Sequence, residues 1–304
     1  MEPIAFKDGV FVLSAEQEKS IRELSQRYLT SQRHEDHHMF AQTILGPIKT
    51  VADYEEWLGG LFVPQTRSMS DVVRIALDSP TAIGYYTSIT SAPMYSRPGP
   101  KFTTTSLTAF DVALQIGFYD ADMFGWPVLA KKIKECGMEM ARKRDGIRKT
   151  AIDAAVAGLS GRTSTVATTM TKASIDAIFA SAASAGFKIK EVRINPERIM
   201  DMTSWTWPSN SMWNRLGADR AEEVIRSGSI TNYGDATWKA YLGCPTNKVY
   251  FFCEPDMLGW EHTVVGHPKT WTTMDINTKS DYTLYADFLG VYASAYGMWC
   301  LTIV

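Results

Sequence analysis

From Ser79 to Ser106 the chain carries almost no charge, many Thr, Ser, Tyr and Pro residues, and a basic tip at Arg97 and Lys101. Pro80, Pro93 and Pro98-Gly99-Pro100 punctuate it, and it holds no helix signal. Structureless loops of this length are uncommon inside compact domains, so the stretch is expected to be either a long two-stranded excursion or a linker. Tyr85, Tyr86, Tyr95 and Phe102 argue against a disordered linker, which rarely carries so many aromatic rings.

The segments around it are read in relation to this excursion. Upstream, Ser14-Ala15-Glu16-Gln17 has the form of a capping box, with Ile21, Leu24 and Tyr28 following at helical spacing. A helix from about 15 to 30 with a narrow apolar stripe is expected, suited to lying on a surface. Gly46-Pro47, Gly59-Gly60 and Pro64 interrupt each regular pattern between residues 46 and 110, and no compact element is predicted before the strand that begins near Leu107 and runs on through Val112–Phe118. After it comes the clearest element. Pro127 suits a first helical turn; Leu129, Ile133, Cys136, Met140, Ile147 and Ala151 recur at intervals of three and four, with Arg144 as the exception on the same face. Ala157-Gly158 supplies the stop, giving a helix of about 30 residues and roughly 45 Å.

Beyond a Ser/Thr-rich connection from Ser160 to Thr171, a second helix is predicted over Ser174–Ala185 and a strand over Phe187–Ile194. Asn195-Pro196 starts a helix over Glu197–Trp205, and another is predicted over Asp219–Ser227. Five strands follow, over Val249–Cys253, His262–Val265, Thr270–Ile276, Tyr282–Tyr292 and Met298–Val304. No fixed-period repeat appears, which argues against solenoids and propellers.

The chain has 304 residues with 45% hydrophobic content, enough for one large domain or two intertwined ones. Its 31 Lys and Arg against 33 Asp and Glu leave a net charge of -2, so any nucleic-acid contact has to come from a local patch. Cys136, Cys244, Cys253 and Cys300 form no CxxC pair, and reduced thiols are expected. Met1–Val10 lacks the basic start and apolar run of a secretory signal, and no stretch approaches the roughly 20 apolar residues of a membrane span.

Three patterns invite chemistry. His34-Glu35-Asp36-His37-His38 satisfies the HExxH spacing, which on a helix sets two zinc ligands on one face beside a general base. Its flanks are polar and it lacks an evident third ligand, so a solvated helix end or turn is the plainer reading. Trp205, Trp207 and Trp213 could stack on a sugar, but nine tryptophans spread along the chain read better as core or interface anchors. Basic positions on the long helix, Lys131, Lys134, Arg142 and Arg148 among them, could face phosphates, diluted by Glu135, Glu139 and Asp145. No Gly-rich phosphate loop, GxSxG elbow or carboxylate-rich metal loop is present. No catalytic residue and no cofactor or metal site are assigned, and an enzyme is not expected.

The order of elements is an amino-terminal arm, a long extended loop, a long helix, a mixed helix and strand region, and closing long strands. Leu129-Ala130-Lys131-Lys132-Ile133-Lys134-Glu135 continuing to Ala157-Gly158-Leu159, Val192-Arg193-Ile194-Asn195-Pro196, and Val249-Tyr250-Phe251-Phe252 before Met257-Leu258-Gly259 belong to the same pattern. From about Val10 to Val304 this resembles the HK97-type major capsid protein of tailed bacteriophages.

The resemblance implies an α+β fold in several parts. Residues 1–78 are an arm and lead-in, 79–106 the extended loop, and 107–170 a peripheral domain with its spine helix. Residues 171–260 form an axial domain, 261–291 the peripheral strands, and 292–304 a return to the axial domain. It also implies a self-assembling homo-oligomer of pentamers and hexamers, closing into an icosahedral virion capsid in the host cytoplasm. That shell encloses double-stranded DNA without sequence specificity; portal, scaffolding or decoration proteins are further partners, and no membrane is involved. No cleaved scaffolding segment is expected, and Lys101 has no assignable Asn for a covalent crosslink.

Physical reasoning agrees with such an assembly. A two-stranded ribbon is marginal alone in water, so the loop, through Tyr85, Tyr86, Tyr95, Arg97, Lys101 and Phe102, is expected to lie across a neighbouring copy. The arm, through Ile21, Leu24 and Tyr28, is expected to do the same. Lys131, Lys134, Arg142 and Arg148 are the candidate DNA-facing residues. An encapsulin nanocompartment shares this fold and is the alternative within it; an HExxH zinc hydrolase is the alternative from another class.

Overall fold

The computed structural model describes residues 5–7, 10–12, 34–69, 74–77, 101–104, 106–117, 126–199, 201–202, 235–275 and 280–304, with isolated positions between 14 and 27. The expected helix over residues 219–227, and Trp205, Trp207 and Trp213, lie outside these.

At the start, β1 (Ala5–Lys7) and β2 (Val10–Val12) pair antiparallel. The capping box is present: the Ser14 N–H donates to Gln17 Oε1 at 2.9 Å and the Gln17 N–H to Ser14 Oγ at 3.2 Å.

The first long element is one the sequence punctuation concealed. Helix α1 (His34–Glu55) runs straight through Gly46-Pro47. Pro47 cannot donate to the carbonyl one turn back, which costs about 3 kcal/mol inside a helix, and Gly46 adds about 1. Against that, Phe40, Ile44 and Ile48 are fully buried at intervals of four, each contributing about 1.5–3 kcal/mol, so packing outweighs local preference. Their partner is α2 (Trp126–Ala157), the long helix predicted from Pro127 onwards, through Leu129, Ile133, Cys136 and Met140. The two helices meet backbone to backbone at Gly137. A Cβ there would lie 2.6 Å from Val51 Cβ and 2.9 Å from the Ile48 carbonyl oxygen, so only glycine permits this approach.

Between these helices come β3 (Val63–Arg67), β4 (Arg74–Leu77), β5 (Lys101–Thr104) and β6 (Thr108–Gly117). After α2 follow β7 (Thr163–Val166), α3 (Lys172–Ser184), β8 (Glu191–Ile194), the short α4 (Pro196–Ile199) and β9 (Thr237–Ala240). Next are β10 (Lys248–Phe252), the short α5 (Pro255–Leu258), β11 (Gly259–Val264), β12 (Lys269–Asp275), β13 (Ser280–Ala293) and β14 (Met298–Ile303). Helix α3 starts two residues earlier than expected because Thr171 caps it, its hydroxyl accepting the Ser174 N–H at 3.3 Å.

Two five-stranded sheets organise these strands. Sheet I has the order β7-β14-β10-β8-β9, with both edge strands parallel to their neighbours. Its core places Ile175 and Ile178 of α3 over Val192, Phe251, Trp299 and Leu301. In sheet II, β11 and β12 lie end to end along one side of β13, β6 lies along the other, and β3 adds parallel to β11. Pro64 sits in β3, an edge position where its missing N–H costs no ladder bond. Tyr285, Asp287 and Leu289 point from β13 to the helix side, as strand alternation requires, and α2 covers them.

Candidate assembly surfaces

The extended loop has a base. β4 and β5 pair antiparallel from Arg74 opposite Thr104 to Leu77 opposite Lys101, bracketing residues 78–100 between the two limbs of a ribbon. The two-stranded excursion expected for this region therefore has its stem in place. Lys101 lies opposite Leu77 and Phe102 opposite Ala76. Tyr85, Tyr86, Tyr95 and Arg97, and on the arm Ile21, Leu24 and Tyr28, lie outside the described residues.

The loop after α1 fastens both sheets to the long helix. Asp145 on α2 accepts the N–H groups of Trp57 at 2.8 Å and Leu58 at 3.1 Å. From sheet I, Arg193 donates to the carbonyls of Trp57 and Gly59. Trp57 itself packs on Tyr250, with ring centroids 5.6 Å apart, and closely over Gly243.

Beside this clasp, two arginines one turn apart gather the carboxylates of four elements. Arg144 reaches Glu56 at 2.9 Å, Asp53 at 3.3 Å and Asp287 of β13 at 2.7 Å. Arg148 reaches Glu56 at 2.6 Å, Asp145 at 3.2 Å and, bidentate, Glu261 of β11 at 2.7 and 2.8 Å. Burial pushes the Asp145 carboxyl up, to about 6, despite Arg148 and the two N–H donors that favour its charge. Burial opposes the Arg148 charge as well, but Glu261, Glu56 and Asp145 outweigh it and raise its pKa.

This corrects one expectation. Arg148 is 3% exposed and its guanidinium is taken up by carboxylates, so it is a structural ion pair of the core and not a DNA-facing residue. Lys131 and Arg142 are exposed, in loose pairs with Glu135 at 3.9 Å and Glu139 at 3.8 Å, and Lys134 is half-buried. The one sequence sign of the network was Arg144, a charge on the apolar face of the long helix; its carboxylate partners come from sequence positions too far away to be paired by spacing.

The HExxH residues open α1. Glu35 and His38 are exposed, and His38 Nε2 lies 2.9 Å from Gln42 Nε2. Among the described residues no group of three His, Cys, Asp or Glu is arranged to hold a metal ion. All four cysteines are buried as free thiols, and burial pushes Cys136 and Cys244 up to about 12, which leaves them chemically quiet.

No protein-family model and no curated protein sequence matches the chain. Solved structures do. A capsid structure of the cyanophage P-SCSP1u superposes with a TM-score of 0.56 at 12% identity, covering 80% of this chain and 86% of that one. The mature capsid of bacteriophage PhiM1 gives 0.56 at 14%, covering 81% and 86%. A virus-like particle from Pyrococcus furiosus gives 0.50 at 10%, covering 86% and 98%.

The chain has the HK97-type capsid fold. Helix α2, the long helix expected from Pro127 onwards, runs 32 residues. Open grooves of about 800 and 790 Å³ flank its solvent side, one bordered by Trp57, Met138 and Leu242, the other by Ser106, Arg142 and Val291. Leu242, 89% exposed, stands on a turn whose backbone is held by Asn195, which donates to the Cys244 carbonyl at 2.7 Å. Trp271, 54% exposed, lies on the face of sheet II opposite the helices, in the same face as the packed rings of His267 and Phe288. Neither apolar residue stood out in the sequence, because exposure at a turn or on one sheet face depends on what packs where.

Proposed function

We propose that this protein is the major capsid subunit of a tailed bacteriophage, a structural protein without catalysis that assembles as pentamers and hexamers into a closed icosahedral shell around double-stranded DNA. The observation that carries this reading is the extent of the match: an HK97-type fold aligned over 80% of this chain and 86% of the cyanophage capsid chain.

In this reading sheet II and the spine helix form the peripheral domain, and residues 171–260 with 292–304 form the axial domain. The ribbon rising from β4 and β5 and the amino-terminal arm reach neighbouring copies through Tyr85, Tyr86, Tyr95, Arg97, Lys101 and Phe102 and through Ile21, Leu24 and Tyr28. Lys131, Lys134 and Arg142 meet DNA phosphates without reading sequence. Assembly takes place in the host cytoplasm.

An encapsulin-type nanocompartment is the second reading, favoured by the similarity to the Pyrococcus virus-like particle, 98% of whose chain is covered. Electron microscopy of the protein expressed alone, with the ratio of absorbance at 260 and 280 nm of the purified particles, tests both. Closed shells, or capsomers that close on mixing, support the capsid subunit; a stable monomer overturns it. Shells that retain a co-expressed protein and exclude nucleic acid move the nanocompartment to the front.

A further inference from the structure

Among the described residues, the buried arginines are neutralised from within, with one exception. Arg144 and Arg148 hold carboxylates from several elements, and Arg193 holds Glu191 at 2.6 Å together with two backbone carbonyls. Arg162, which directly precedes the edge strand β7, is only 8% exposed yet pairs with no carboxylate and donates no side-chain hydrogen bond among the described residues. Its guanidinium lies over the Trp299 ring, 3.8 Å from the centroid, and 5.4 Å from that of Phe187. Burial disfavours its charge, and only the weak influences of Cys253 and Tyr296 act the other way.

We propose that Arg162 is a receptor for a carboxylate side chain on a second copy of this chain. Trp299 stacks on one face of the guanidinium and Phe187 lies to its side, which holds the group in place while its N–H donors stay unclaimed within the chain, for an outside acceptor. A planar anion gripped by two parallel N–H groups fits that edge. A nucleic-acid backbone fits less well: phosphate polymers are held by several cations at once, whereas the groups against Arg162 are the Trp299 and Phe187 rings and, nearby, the Cys253 thiol and Tyr296, and Lys190 is paired with Glu254 at 3.4 Å. The position points to a copy alongside, since β7 is the outer strand of sheet I. Exposed carboxylates such as Glu197 and Asp256, which form no ion pair among the described residues, are available as acceptors. The inference rests on the self-assembly reading and adds a lateral contact of the first sheet, separate from the arm and the loop.

The test compares the full-length chain with Arg162→Gln and Arg162→Lys. Two quantities are measured: the subunit concentration at half-assembly, by light scattering with electron microscopy, and the unfolding temperature of the diluted, unassembled subunit. The expected result for Arg162→Gln is a rise of about tenfold or more in the assembly concentration. Its unfolding temperature changes by no more than a few degrees, because the lost stacking on Trp299 and the removal of a cation without a carboxylate partner act in opposite directions. Arg162→Lys, which has the charge without the fork, recovers only part of the assembly. Wild-type assembly in Arg162→Gln overturns the proposal. So does a parallel loss of subunit stability, which marks a support role within the chain, and so does loss of co-purifying nucleic acid at unchanged assembly, which marks a phosphate site. If the wild type associates without closing shells, the capsid reading fails while the association constant of the variants still decides Arg162; if it does not associate at all, both fall.

Discussion

Arg148 and His262 show opposite ways of burying a titratable side chain. Arg148 is compensated by three carboxylates, and removing one side of such a cluster strands the other. Arg148→Ala is therefore expected to lose about 3–5 kcal/mol in denaturant unfolding, whereas Lys131→Ala, in a loose exposed pair, is expected to lose less than about 1. His262, 1% exposed in β11, has no partner for either ring nitrogen among the described residues. Burial and then the Arg67 charge hold its pKa below the ordinary histidine value, against the weaker pull of Glu261. The folded state thus binds fewer protons than the unfolded chain, so stability is present above the unfolded pKa of about 6.5 and is lost as pH falls below it. His262→Phe is expected to flatten that dependence between about pH 7 and 5 while leaving stability at pH 7 equal or higher, since no unpaired nitrogen remains. Equal acid sensitivity in the two proteins, followed by circular dichroism, would refute this.

At the scale of elements, the fold depends on α1 and α2 approaching within backbone contact. The side chains that make α1 a helix are apolar residues every fourth position, but Gly46-Pro47 hid them, because local rules weigh a proline more than burial that has yet to be seen. The long helix α2 was legible for the opposite reason: its periodicity is long, its Pro127 is at the start and its Gly158 lies past the end. Gly137 sits in the middle of that helix, where glycine is unfavourable by about 1 kcal/mol relative to alanine in isolation. Here Gly137→Ala is expected to destabilise by about 1–3 kcal/mol, since the new methyl meets Val51 and the Ile48 carbonyl and forces the helices apart. A rise in melting temperature for this variant would show that the crossing can relax.

For the whole molecule, the proposed assembly role of the ribbon is separable from folding at its stem. Leu77 and Lys101 are ladder partners, so their Cα atoms are about 5 Å apart and a short turn can join them. Replacing residues 78–100 by such a turn is expected to leave the unfolding temperature within a few degrees of the parent while abolishing closed particles in electron micrographs. Intact shells from the shortened chain would mean that the ribbon is dispensable. Sequence alone determined the elements whose signals are local and repeated: the long helix, the helix expected over Ser174–Ala185, and the five closing strands. Their order was enough to indicate the architecture. What only the tertiary structure decided was pairing at a distance. Glu56, Asp287 and Glu261 surround two arginines that the sequence shows only as charges on a helix, and Arg148 moves from a surface cation to the centre of the core. Local periodicity fixes which face of an element is apolar, but the partner of a buried charge depends on strands brought together from residues far apart in the chain, and only the folded chain sets those distances.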